Sequence, residues 1–201
     1  ALFDSPFRIL PFHLQFMGYL SATYSLLRFQ TSMLTQVMQD AINAQINNEL
    51  YSSYGYLSMS AWCQHEQFTG AAHWMRIQSE EERTHALKLQ DFLLARYAKV
   101  ILKPIAQPEV EFSSVVEVFE KALAQEQKVT EQIDKLYELA FQEKAFAALV
   151  ELEWFITEQV EEEKTAREVV HKFQMVKNDP ASLLDLDREL SQRVAEPAET
   201  K

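Results

Sequence analysis

Apolar residues recur at alternating spacings of three and four along four long stretches of the chain, the period of a helix with one buried face. The first stretch predicts α1 over 33–65, with Ile42, Ile46, Glu49, Ser53, Tyr56, Ser60 and Cys63 on its seam. The second predicts α2 over 70–98, with Met75, Gln78, Glu82, His85, Leu89 and Phe92. For α3, over 113–141, the seam is Phe119, Ala122 or Leu123, Glu126, Val129, Ile133, Leu136 and Ala140. For α4, over 144–177, it is Leu152, Phe155, Gln159, Glu162, Ala166, Val169 and Phe173. A short α5 is expected at 181–193, then a polar tail at 196–201. No proline falls between 33 and 103 or between 109 and 179, so nothing breaks these helices from within. Gly70 is read as marking the α1–α2 turn, Ser113 or Ser114 as capping α3, and Asn178 or Asp179 as capping α5.

Connection lengths set the topology. Short α1–α2 and α3–α4 turns make those pairs antiparallel. The α2–α3 segment, about 14 residues around Pro104 and Pro108, spans roughly 46 Å when extended at ~3.3 Å per residue. That matches the roughly 43 Å length of α2. The loop can therefore run the length of the bundle and return α3 parallel to α2. The expected fold is all-α, a four-helix bundle with a long crossover and a short fifth helix, over 33–195.

Every seam is interrupted by a carboxylate. Counting outward from the turns brings Glu49 level with Glu82 and His85, and Glu126 level with Gln159 and Glu162. With helix axes about 8–10 Å apart, these six side chains share one small volume. Four carboxylates buried together cannot all stay ionised without a counter-charge. Divalent cations supply one, and a set of carboxylates with one imidazole suits iron, manganese or zinc. Glu82 and His85, three apart, lie on one helix face as ligation needs.

Composition narrows the partners. The chain has 201 residues, 47% of them hydrophobic, with 3 Gly, 6 Pro and a net charge of −11. That balance argues against nucleic acid. The lone Cys63 excludes an internal disulfide framework and fits a reducing, cytoplasmic setting. No apolar run of membrane-spanning length occurs, so no membrane partner is expected.

The segments "NNELYSSYGYLSMSAWC", "QSEEERTH", "AQEQKVTEQI" and "TEQVEEEK" resemble the helix signatures of prokaryotic non-haem ferritins, over roughly Met33 to Arg193. The resemblance implies a cage of 24 subunits that oxidises Fe(II) with O2 or peroxide and stores it as a ferric mineral. It implies a first iron on Glu49, Glu82 and His85. Glu82 would bridge to a second iron held by Glu126, with Glu162 or Gln159 nearby. Tyr56 matches the tyrosine beside the diiron centre. Glu81, Glu158 and Glu161 match residues that form a third iron site with Glu162, against the alternative of a solvated acidic rim. Glu80 and Glu163 are expected to be exposed, and His65, His73 and His171 to be surface or packing residues.

The sequence departs from related patterns at three places. A second Glu-x-x-His is replaced by Gln159-x-x-Glu162. Arg83 stands where haem-binding relatives place a methionine, so no haem is expected. Leu149 and Leu152 match the acids that line the iron channel of animal ferritins, with Glu151 and Glu153 close by. Residues 1–32 fall outside the resemblance and carry one acid, Asp4. They read as an extension packing on the assembly, a targeting segment that would make the setting organellar, or a stretch ahead of the true start. Two rival functions remain at this point. One is a diiron oxidase or peroxidase not involved in storage. The other is a non-enzymatic bundle that binds divalent ions.

Overall fold

The computed structural model describes residues 33–195. The expected N-terminal extension, 1–32, and polar tail, 196–201, lie outside the described residues. Among those described there are five helices and no strand. They are α1 (Gln36–His65), α2 (Thr69–Ala95), α3 (Val115–Gln142), α4 (Phe146–Val176) and α5 (Pro180–Leu190).

Thr35 caps α1 by accepting from the Met38 amide, and Ser114 caps α3 by accepting from Glu117. Asp179 caps α5 ahead of Pro180 at the first helical position, where a missing N–H costs nothing. The helix stops are less ordinary. Gln67, Tyr97 and Lys144 all have positive φ, at 67°, 57° and 53°. Each follows a helix end, and the next amide reaches back across the last turn: Phe68 N–H to Cys63 O, Ala98 N–H to Leu93 O, Ala145 N–H to Ala140 O, all at 2.9 Å. This is the Schellman arrangement, which satisfies the last carbonyls and folds an apolar residue back onto the helix.

Gly70 is therefore not the turn. It is the second residue of α2 and sits there for clearance: a Cβ would stand 1.7 Å from the Asp187 carbonyl oxygen of α5. Phe68, at the start of α2, offers no capping side chain. Asp187 supplies the cap from across the chain, accepting from Gly70 N–H at 3.1 Å and Ala71 N–H at 2.8 Å. Its buried carboxylate also meets the positive end of the α2 dipole.

The α2–α3 crossover, residues 96–114, is longer than expected because α2 stops at Ala95. It climbs along α1. Asn43 donates to Lys99 O and accepts from Ile101 N–H, and Ser58 donates to Glu109 O. From Asn43 to Ser58 is a rise of about 22 Å along a helix. Trp62 then meets Phe112 edge-on at 5.7 Å, so α3 begins beside the end of α1 and runs parallel to α2.

Two apolar clusters fill the bundle. One holds Met59, Trp74, Met75, Phe119, Phe173, Leu186 and Leu190, at the end that α5 covers. The other holds Met38, Ile42, Ile46, Leu89, Ile133, Leu152 and Phe155. On every long helix the carboxylates, glutamines and histidine of the seam fall between them, while Ser60 of α1 lies within the first. The seams drift from a strict heptad, as a 3.6-residue helix must. Ser53 and Phe92 are half-buried, with Ser52 and Leu93 taking the buried positions.

The two helical glycines among the described residues should respond differently to alanine. Gly70→Ala drives a methyl into backbone that cannot rotate away, so it should destabilise by about 1–3 kcal/mol. Hydrogen exchange should quicken across Pro180–Leu190 while Val129–Leu136 stays protected. Gly55→Ala meets only the tip of Gln125, at 2.8 Å, and should leave thermal stability near the parent's. A Gly70→Ala protein as stable as the parent, with α5 unchanged, would contradict the close approach.

Candidate metal centre

Between the two apolar clusters lies a polar layer. Glu49, Gln78, Glu82, His85, Glu126, Gln159 and Glu162 are all buried, and Glu49, Gln78 and Glu126 have no exposed surface at all. The helical period places one to three of them from each long helix at the same height.

Ligand atoms of Glu49, Glu82 and His85 lie within 4.8 Å of one another, as do those of His85, Glu158 and Glu162. His85 joins the two groups. Its Nδ1 is 3.6 Å from Glu82 Oε2 and its Nε2 is 3.9 Å from Glu158 Oε1. The ring is held edge-on between Trp154, at 5.3 Å, and Phe155, at 6.1 Å. Glu126 belongs to neither triplet. It accepts from the Tyr56 hydroxyl through Oε1 and from Gln159 Nε2, 3.4 Å from Oε2.

Neutral donors fix the other carboxylates. Gln45 donates to Glu49 Oε1 at 2.8 Å, and Gln78 to Glu162 Oε2 at 2.9 Å. Glu49 Oε2 and Glu82 Oε2 remain buried without a hydrogen-bond donor. Orphaned acceptors of this kind cost free energy unless something cationic meets them. A carboxylate–imidazole donor set around such oxygens fits a hard or borderline divalent ion.

Burial dominates the protonation of the layer. It pushes Glu82 well above the ordinary carboxylate range, with the charges of Glu126 and Glu49 adding to it. It raises Glu126 to about 7, opposed by the hydrogen bonds from Tyr56 and Gln159. It raises Glu162 to about 8, with the charge of Glu126 adding and the Gln78 bond opposing. Burial, then Glu126, pushes the Tyr56 phenol well above its usual value, so it stays protonated and donates.

The flanking residues separate from this layer. Glu158 is half-buried beside His85, and Glu161 is exposed and joins no such group. Glu81 is half-buried, its carboxylate held by Arg193 at 2.7 Å. Glu80 and Arg83 are exposed and pair with each other at 3.0 Å. Glu163, expected at the surface, is instead half-buried: Thr130 of α3 donates to it at 2.7 Å and Arg167 at 2.8 Å, drawing it against the neighbouring helix. His65, His73 and His171 are exposed. Cys63 is fully buried, and burial lifts its thiol to about 12, far from a reactive thiolate. Leu152 is core and Leu149 half-buried, and Glu151 faces Lys88 at 3.9 Å.

The sequence pattern missed Gln45, which lies one helical turn before Glu49, a spacing that could have revealed it. Gln78 was placed on the seam without a partner; its partner is on α4, which no local spacing shows.

A ferritin-like domain matches residues 39–176. The chain is 37% identical over 161 residues to the bacterial non-heme ferritin of Staphylococcus epidermidis, covering 80% of this chain and 97% of that protein. With the bacterial non-heme ferritin of Staphylococcus saprophyticus it shares 35% identity, over 83% of this chain and all of the relative. Among solved structures it is similar to the Archaeoglobus fulgidus ferritin engineered to a closed form, with TM-score 0.80 and 41% identity over 81% of this chain and 99% of that one. The open-pore ferritin of the same archaeon gives TM-score 0.79 and 41% identity over 80% of this chain and 98% of that one.

Glu126 and Glu162 titrate higher in the fold than the ordinary value of 4.5. Their neutral forms therefore stabilise the chelated protein fully below that value, and this contribution fades as pH rises through about 7 and 8. Thermal midpoints of chelated protein should fall steadily from pH 5 to 8.5. Zn(II) added at the alkaline end should restore them, and added well below neutral pH it should release protons as it binds. Glu126→Gln and Glu162→Gln should flatten the slope. A chelated protein with no such slope would count against the buried, protonated layer.

Proposed function

The chain belongs to the ferritin family, and we propose that it stores iron, oxidising Fe(II) at the buried carboxylate–imidazole layer before ferric iron is mineralised in a hollow multi-subunit cage. The observation that carries this reading is the pair of orphaned oxygens, Glu49 Oε2 and Glu82 Oε2, beside His85 in a layer too crowded with carboxyls to ionise alone.

In this reading one Fe(II) is bound by Glu49, Glu82 and His85. A second is bridged by Glu82 and held by Glu126, with Gln159 and Glu162 at its side. Each iron gives up one electron, so a pair supplies two to O2, which takes up two protons and leaves as hydrogen peroxide. Carboxyl groups that release their protons as metal binds stabilise the ferric product more than the ferrous substrate. Tyr56 keeps its proton and orients Glu126. Glu158, between His85 and solvent, is the route outward, and with Glu81, Glu161 and Glu162 it forms a third iron position. The cage of 24 subunits and a cytoplasmic setting belong to the same proposal. Among the described residues no helix is long and apolar enough to cross a membrane.

The test is aerobic addition of Fe(II) to metal-depleted protein, following O2 uptake and the ferric iron retained in solution. The parent should oxidise Fe(II) much faster than buffer and keep far more ferric ions than it has ligand sites. Glu82→Ala removes a ligand, so its loss should exceed the about 10–100-fold cost of losing an outer partner. Tyr56→Phe should bind metal but lose about 10-fold in rate. Fast oxidation without retained iron would point to an oxidase of another substrate. Oxidation no faster than buffer would leave only a divalent-ion-binding bundle.

A further inference from the structure

Beyond α5 the chain turns back onto α2. Arg193 Nη2 meets Glu81 Oε2 at 2.7 Å, with side-chain exposures of 18% and 16%. The guanidinium lies 4.4 Å over the Trp74 ring, and the Arg193 carbonyl is 2.9 Å from His73 Nε2. Asp187 anchors the base of this segment on Gly70 and Ala71. Three contacts of its own, above the Asp187 anchor, thus hold Arg193 at the rim of the polar layer, on the residue that precedes Glu82. The pairing is single-pronged: Glu81 Oε1 and Arg193 Nη1 are both buried without a partner. A guanidinium can grip both oxygens of a carboxylate. Here one oxygen is left over.

We propose that Arg193 is a resident cation at the third metal position, occupying the Glu81 carboxylate that a third ion would need. The inference rests on the two-metal centre proposed above and concerns how many ions that layer admits. With Arg193 seated, Glu81 is already neutralised, and an entering ion gains less from it. Two ions are then held tightly per subunit, and a third binds only as Arg193 leaves.

Zn(II), a probe without redox chemistry, tests this by calorimetric titration of the assembled, metal-depleted full chain. The parent should show two tight sites per subunit and a third weaker by about tenfold or more. Arg193→Gln should tighten the third site by at least about tenfold, and adding Glu81→Gln should abolish it. Two tight sites in the parent with an unchanged Arg193→Gln would overturn this inference alone. No tight zinc in either protein would overturn the metal centre and this inference with it. Should Arg193→Gln not assemble, zinc-soaked crystals of the parent decide. Zinc on Glu81 with Arg193 swung away supports the proposal, and zinc on Glu81 beside an unmoved Arg193 refutes it.

Discussion

Four carboxyl groups share one water-poor layer, and the rest of the bundle is arranged around that fact. Glu49, Glu82, Glu126 and Glu162 come from four different helices and are all buried. Repulsion between their ionised forms would push the helices apart. Two apolar clusters, one on each side, hold the helices together regardless. Burial keeps Glu82, Glu126 and Glu162 protonated to higher pH than exposed carboxyls, and those protons are what bound cations would displace.

Neutral donors decide which oxygens face that replacement. Gln45 and Gln78 each hold one oxygen of Glu49 and Glu162, and Tyr56 and Gln159 hold Glu126. An amide or phenol donor satisfies a carboxylate in either protonation state without adding charge. Lysine in the same places would have neutralised the layer permanently. The arginine that does approach, Arg193, is kept at the rim against Glu81.

The bundle and the layer were legible because both follow from period and counting. Seam residues recur at helical spacing, and short turns make the levels of Glu49 with Glu82, and of Glu126 with Gln159, computable from chain position. The helix stops were not legible in the same way. Gln67, Tyr97 and Lys144 take left-handed backbone without being glycine, because the hydrogen bonds and apolar contacts of the returning chain outweigh their strain. Gly70 looked like a turn residue but answers to a helix more than a hundred positions away. The Arg193–Glu81 and Gln78–Glu162 pairs are likewise tertiary, set by how far α5 overlaps α2 and by the rotation of α4. Glu163 departs from its expected exposure for the same reason, since Thr130 of α3 pulls it in from the face that its own helix would leave wet.

The Asp187 cap also has a direction in time. The first turn of α2 leaves the ribosome 117 residues ahead of the carboxylate that satisfies its amides. Until then those N–H groups can be met only by water, and the end of the bundle around Trp74 and Phe173 stays open to it. A growing chain can pair α1 with α2, and α3 with α4, in the order they are made. It seals this end last, after α5 is complete, so a nascent chain cut short before Asp187 keeps one pole of its core wet.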